Sequence, residues 1–171
     1  MRIEKPNISK VKELTEVARE TFIQSHGHSS PEADFKSYMD LHFTEENFKK
    51  EIENPDNIYH LLYRDDELVG YSKIIYNQSI EPVEQKDITK LERIYLLNKV
   101  HGSGLGKAFF EFNVNLAKEA KQAGIWLFVW VDNHRAIGFY NKMGFEIVGS
   151  YDFQISKDHS NPNHQLFLKF N

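Results

Sequence analysis

The chain has 171 residues, 21 Lys and Arg against 25 Asp and Glu, eight His and no Cys, for a formal charge of −4. That length suits one domain with a self-sufficient core, and the lack of cysteine excludes a disulfide framework, a Cys-ligated zinc and a Cys nucleophile. Mild acidity argues against a general nucleic-acid binder, no apolar run approaches the roughly 20 residues of a membrane span, and Met1–Pro6 lacks a signal-peptide core, so a single cytoplasmic domain over residues 1–171 is expected.

The charge is unevenly spread. Residues 1–92 hold 12 basic and 19 acidic side chains, whereas residues 93–171 hold 9 and 6. Scattered surface charge explains such a split, and so do two ligand regions of opposite preference.

In chain order, residues 9–26 carry Val11, Leu14, Val17, Ala18 and Phe22 at helical spacing, with Ser9 as the expected N-cap. Gly27–Pro31 is a break, after which Ser30 and Pro31 open a helix to about Leu41. Thr44 caps a third helix carrying Phe48 and Ile52 and ending near Asn54-Pro55. Ile58–Arg64 and Glu67–Tyr76 read as a hairpin about Asp65-Asp66. Residues 77–87 are a polar loop, and Lys90–Leu96 is a third strand. A glycine-rich turn at 102–106 precedes a helix through Ala123, with Gly124 as its stop. Ile125–Val131 is apolar throughout, as a central strand would be. Asn133–Met143 is a short helix ending at Gly144, and Phe145–Ile155 and His164–Phe170 close the chain as strands. The pattern is mixed α/β.

His101-Gly102-Ser103-Gly104-Leu105-Gly106-Lys107 follows a strand and opens a helix. Glycines there take positive φ, and successive N–H groups at a helix start form an anion nest, so a phosphate is the natural ligand. The bland alternative is a left-handed turn with no ligand. Two rival motifs fail: a Walker A loop needs Gly at 101 and Ser or Thr at 108, and a dinucleotide fingerprint needs Gly at 107. The eight histidines lack the spacing of a metal site, and no metal is expected.

The strand Leu91–Leu96, followed by His101-x-x-Gly104-x-Gly106, resembles motif A of the GNAT acetyltransferases. Asn133-His134-Arg135-Ala136-Ile137-Gly138-Phe139-Tyr140-Asn141-Lys142-Met143-Gly144-Phe145 resembles their motif B. Within that superfamily, Glu92–Tyr95 and Trp126–Trp130 look like the PaiA-type spermidine/spermine acetyltransferases. The departure is His101, where the family has Arg or Gln; a neutral His offers one donor instead of a fixed charge, so pH-dependent cofactor affinity is expected.

The resemblance implies a GNAT fold: a central mixed, mostly antiparallel sheet of six to seven strands, splayed at the cofactor site and flanked by helices. It implies acetyl-CoA as donor and a small primary amine, polyamine-like, as acceptor; a peptide acceptor or a non-catalytic CoA-binding regulator is the alternative. The cofactor-binding set would be Ile94, Tyr95 and Leu96 on a bulged strand, His101, Gly102, Ser103, Gly104, Leu105, Gly106 and Lys107 at the nest, and Asn133, Ala136, Phe139, Tyr140 and Lys142 on the second helix. Tyr140 is the expected general acid and Glu92 the expected base, although Lys90 stands where many relatives have an acid. Glu92, Ile94 and Leu96 are expected on one face of their strand. Phe22, His26, Tyr38, Glu92 and Trp130 are expected to line the acceptor site, with His42 and Phe153 beside them; the alternative for Phe22 and Phe153 is a core position. Final strands of this family support dimers, so a homodimer is a further expectation, with no nucleic-acid or membrane partner.

Overall fold

A computed structural model describes residues 1–170. Seven strands form one sheet in the order β1-β2-β3-β4-β5-β7-β6. They are β1 (Arg2–Glu4), β2 (Ile58–Arg64), β3 (Glu67–Ile75), β4 (Ile88–Leu96), β5 (Gly124–Trp130), β6 (Glu146–Gln154) and β7 (Ser160–Lys169). The helices are α1 (Val11–His26), α2 (Glu32–His42), α3 (Glu45–Glu53), α4 (Leu105–Glu119) and α5 (His134–Lys142). The pairs β1–β2, β2–β3, β5–β7 and β6–β7 are antiparallel and β4–β5 is parallel, so the sheet is mixed and mostly antiparallel, as expected. The chain falls into two compact units, Met1–Ile74 with Arg93–Asn113, and Ile75–Glu92 with the chain from Val114 onward.

In the first unit, α1 buries Val11, Leu14, Ala18 and Phe22, the stripe that 3.6-residue periodicity selects. α2 adds Phe35 and Met39, and α3 adds Phe48. These side chains meet Tyr59, Leu61, Tyr63 and Tyr71 from β2 and β3 in one core. Asp65 and Asp66 both adopt positive φ (50° and 62°), the geometry of a type I′ turn matching the twist of the hairpin strands. Against the other sheet face, Phe109 of α4 packs with Leu62, Val69 and Val100, joined by Ile94, Leu96, Leu105 and Phe112.

In the second unit, β5 is the central strand and is apolar throughout. Its parallel ladder with β4 spans Ile88–Lys90 and Gly124–Trp126, while all seven of its residues pair with β7. The loop at 77–87 folds onto it: Ile80 and Val83 pack on Trp126, whose indole N–H donates to the Gln78 carbonyl at 2.6 Å.

Several boundaries differ from the sequence reading. Ser9 does not cap α1; the Asn7 side chain accepts from the Ser9 N–H at 2.9 Å and caps a 3-10 turn over Ile8–Lys10. Pro31, not Ser30, is the N-cap of α2. Gly124 does not stop α4. The helix ends at Glu119, with Lys121 left-handed at φ 58°, and Gly124 opens β5. Glycine is needed there because a Cβ would lie 2.5 Å from the Phe167 ring and 2.7 Å from the Leu168 carbonyl oxygen. β4 begins at Ile88 and β7 at Ser160, both earlier than expected, and β1 carried too few apolar residues to be read as a strand. Thr44 does cap α3, accepting from the Asn47 N–H at 3.2 Å.

Candidate active site

The glycine turn is built for backbone access. Gly102 and Gly104 sit at φ 79° and 85°, conformations that a side chain would strain, and a Cβ at Gly102, Gly104 or Gly106 would meet nothing within 4 Å. The cradle is therefore open. The N–H of Ala108 is taken by the Gly104 carbonyl at 3.1 Å, and the N–H groups of the preceding first turn are those a helix leaves for an anion. The residues fit a phosphate-bearing ligand. His101 bends back onto the strand: its Nε2 lies 3.0 Å from the Leu96 carbonyl oxygen, which makes Nε2–H the donor. Lys107 lies 3.6 Å from Glu111, one turn on, at the exposed side of α4.

The strand leading into this turn, β4, contributes to both units. In the second unit, Thr89 contacts Gln122, just beyond α4, while Lys90 lies on the opposite side of the strand, its ammonium 5.4 Å from the Trp126 ring centroid and 3.0 Å from Glu92, two residues on. In the first unit, Ile94 and Leu96 pack against α4 residues, and Tyr95 joins the core under α1–α3. Gly70 of β3 permits the close approach of this segment, since a Cβ there would fall 2.7 Å from the Tyr95 carbonyl oxygen and 3.0 Å from Leu96 Cγ.

Around Tyr95 the first unit holds an aromatic group. Phe22, His26 and Tyr71 lie at ring-centroid distances of 6.2, 6.1 and 5.8 Å from Tyr95. Burial raises the Tyr95 hydroxyl to about 12 and lowers the His26 imidazole to about 4, the latter helped by His28, so at neutral pH both are uncharged. His26 Nδ1 lies 2.6 Å from Ser25 Oγ. Phe22 is 7% exposed and stacks on Phe35, so it is a core residue that supports His26 and Tyr38. Tyr38 is half-buried and sits 4.4 Å from His42.

The sequence reading missed the charged cluster on this face. Glu51 of α3 receives Arg93 at 3.1 Å, Lys73 at 2.8 Å and the Tyr59 hydroxyl at 2.5 Å, and Arg93 also donates to the Tyr59 oxygen at 2.7 Å. Burial pushes the Glu51 carboxyl up, but Arg93, Lys73 and Tyr59 outweigh it and leave it below the usual carboxylate range. Burial raises the hydroxyls of Tyr59 and Tyr71, and the Tyr71 hydroxyl has no hydrogen-bond partner. The available signal was Lys73, a charge in the interior of a strand whose neighbouring residues are mostly buried.

In the second unit, Asn133 is the N-cap of α5: its Oδ1 accepts from the Ala136 N–H at 3.1 Å. Tyr140 follows Ala136 by one turn, is 8% exposed and meets Phe139 and Phe145 edge-on at 5.3 Å. Gly144 at φ 89° closes the helix, and exposed Lys142 lies in its last turn. On the sheet, Trp126, Phe128 and Trp130 share one side of β5. Lys90 lies over the first two, Tyr151 stacks on Phe128 at 4.7 Å, and Trp130 pairs across the ladder with Asn163. Phe153 is half-buried on β6. Each unit thus gathers its own share of the expected residues: the nest, Ile94–Leu96, Phe22, His26 and Tyr38 in the first, and Glu92, Trp130 and the α5 set in the second. Among the described residues, no three His, Cys, Asp or Glu converge as a metal site, and no helix is long and apolar enough to cross a membrane.

Comparison with known proteins bears on this geometry. The family model "Acetyltransferase (GNAT) family" matches residues 12–145. A protein of Lactobacillus delbrueckii subsp. lactis, described as an uncharacterized N-acetyltransferase in the pepI 3' region, is 28% identical over 146 residues, 85% of this chain and 84% of its own. The spermine/spermidine N(1)-acetyltransferase of Bacillus subtilis is 28% identical over 97 residues, 56% of this chain and 64% of its own. The crystal structure of the PaiA N-acetyltransferase from Thermoplasma acidophilum in complex with coenzyme A superposes with a TM-score of 0.78 at 22% identity, covering 99% of this chain and 98% of that one.

Proposed function

This chain belongs to the GNAT acetyltransferase family, and on that premise we propose that it moves the acetyl group of acetyl-CoA to the primary amine of a small acceptor by direct attack. The observation that carries the reading is the open nest at Gly102–Gly106, with its left-handed glycines at the start of α4. Acetyl-CoA supplies the activated acyl group and leaves as a thiol. The nest N–H groups would hold the pyrophosphate, and the C-terminal end of β4, Ile94–Leu96, would offer N–H and C=O groups to the pantetheine arm. The Asn133 carboxamide, whose oxygen caps α5, would bond an amide of that arm through its NH₂ group. Ala136 is small enough to let the arm lie against the helix, and Lys142 would reach a phosphate.

Tyr140 is proposed to donate a proton to the departing sulfur. Glu92 is proposed to receive the proton of the attacking amine, directly or through water. Having no cysteine, the chain forms no acetyl-cysteine. A polyamine acceptor draws support from the spermine/spermidine acetyltransferase relative. Release of CoA thiol, followed across an amine panel, tests the reading: acetyl-CoA-dependent turnover with at least one amine is expected. Intact acetyl-CoA binding with no turnover on any amine would leave a CoA-binding regulator instead.

A further inference from the structure

We propose that His101 is a proton-linked latch of the cofactor site: its Nε2–H holds the Leu96 carbonyl, and an entering pyrophosphate draws a proton from solvent onto the other ring nitrogen. The proposal rests on the acetyl-CoA reading above and concerns only the first unit, which holds His101, Leu96 and the glycine turn.

The segment from Leu96 to His101 is a closed loop. The Leu97 N–H donates to the Val69 carbonyl at 2.9 Å and the His101 N–H to the Asn98 carbonyl at 3.0 Å, while the Leu97 and Val100 side chains are buried. The imidazole completes the loop, with Nε2 3.0 Å from the Leu96 oxygen. One ring thereby joins the last residue of β4 to the start of the glycine turn. Gly102, at φ 79°, follows it directly, so the ring stands beside the N–H groups offered to the phosphate.

With Nε2–H given to a carbonyl, the neutral ring carries its lone pair on Nδ1, and protonation there keeps the latch while adding a full positive charge. The charged side chains on the surrounding elements are already engaged. Lys99 meets Glu67 of β3, Lys107 lies 3.6 Å from Glu111 on α4, and Arg93 of β4 is held by Glu51 of α3 at 3.1 Å. On α1, Gln24 donates to Glu20 at 3.0 Å and accepts from the Asn98 N–H at 2.7 Å. Within the turn, His101 is the side chain of a type whose charge changes near neutrality. An imidazole near ~6.5 is about one-quarter charged at pH 7, and phosphate charge beside it favours the charged form. Binding therefore takes up a proton, and the cofactor is held more tightly as the pH falls.

Calorimetry with the full chain and 3′-dephospho-CoA tests this. That ligand keeps the pyrophosphate and lacks the phosphate monoester, whose own titration near ~6 would overlap that of the ring. At pH 7, the binding enthalpies in PIPES and imidazole buffers should reveal uptake of about 0.5 proton per ligand, and Kd should tighten about 5-fold from pH 8 to pH 6. His101→Gln, which keeps a donor for the Leu96 carbonyl and binds no proton, should lose both effects. His101→Ala, which loses the donor as well, should bind about 5-fold more weakly than His101→Gln at pH 8. No proton uptake by the unmodified protein, uptake undiminished in His101→Gln, or equal affinity of the two variants at pH 8 overturns the proposal and leaves the acetyltransferase reading intact. Failure to bind either this ligand or acetyl-CoA removes both.

Discussion

At the residue scale, function and packing compete for the same side chains. Tyr140 is 8% exposed, with Phe139 and Phe145 edge-on against it, so its ring is locked before any ligand arrives. Tyr140→Phe keeps that packing and deletes only the hydroxyl. We expect kcat to fall about 100-fold with little change in acetyl-CoA affinity by calorimetry; an unchanged kcat would remove Tyr140 from the proton path. Glu51 is the structural counterpart, one carboxylate shared by Arg93, Lys73 and Tyr59. Glu51→Ala strands two half-buried or buried cations, and urea unfolding should show a loss of about 3 kcal/mol. The aromatic and glycine residues of the site were legible because their motifs are local. Glu51, Lys73 and Arg93 were not, because 22 and 42 residues separate the carboxylate from its cations and no local pattern encodes such a meeting.

At the element scale, the strand-turn-helix from β4 to α4 is set by two different requirements on glycine. Gly104 must be left-handed, at φ 85°, while Gly70 must be small because β4 passes 2.7 Å from where its Cβ would be. Gly104→Val should therefore raise the acetyl-CoA KM at least about 10-fold through a strain of roughly 1–2 kcal/mol, leaving the amine KM nearly unchanged in initial-rate assays. Gly70→Val should act differently, lowering the thermal midpoint by several degrees as β4 is pushed from β3. The glycine turn was readable from the spacing of three glycines after a strand. The close passage of β4 over Gly70 was not, because no local pattern encodes which remote strand will lie against a glycine.

For the whole molecule, stability should decline with acid over two pH ranges. His60 is 4% exposed, its Nδ1 has no partner, and burial, with Lys5 adding to it, lowers it from 6.5 to about 4. The unfolded chain binds that proton below 6.5 and the folded chain does not, so stability falls as the pH drops from 6.5 toward 4, by about 2–3 kcal/mol in all. Glu51 has the opposite charge but the same direction of loss: its depressed carboxyl stabilises above 4.5, and that contribution goes as the pH passes below its folded value. Urea midpoints measured from pH 7 to pH 4 should decline, and His60→Phe should remove part of the upper decline, the buried His26, also lowered to about 4, keeping the rest. A midpoint equally steep in the variant would assign the loss elsewhere.

The sequence alone determined the order of the elements after β1, the left-handed glycine turn before α4 and the family, because each is written in contiguous residues: periodicity, glycine spacing and the run from Asn133 to Phe145. It also located an excess of basic side chains in residues 93–171, where that turn and Lys142 lie. Only the tertiary structure decided which charges are spent within the fold. Glu92 is the expected base and Lys90 stands where many relatives have an acid, and the structure brings the two together at 3.0 Å. Glu51, which no motif singles out, holds Arg93 and Lys73. Ion pairing depends on distance, and distance between remote residues is fixed by packing and not by composition.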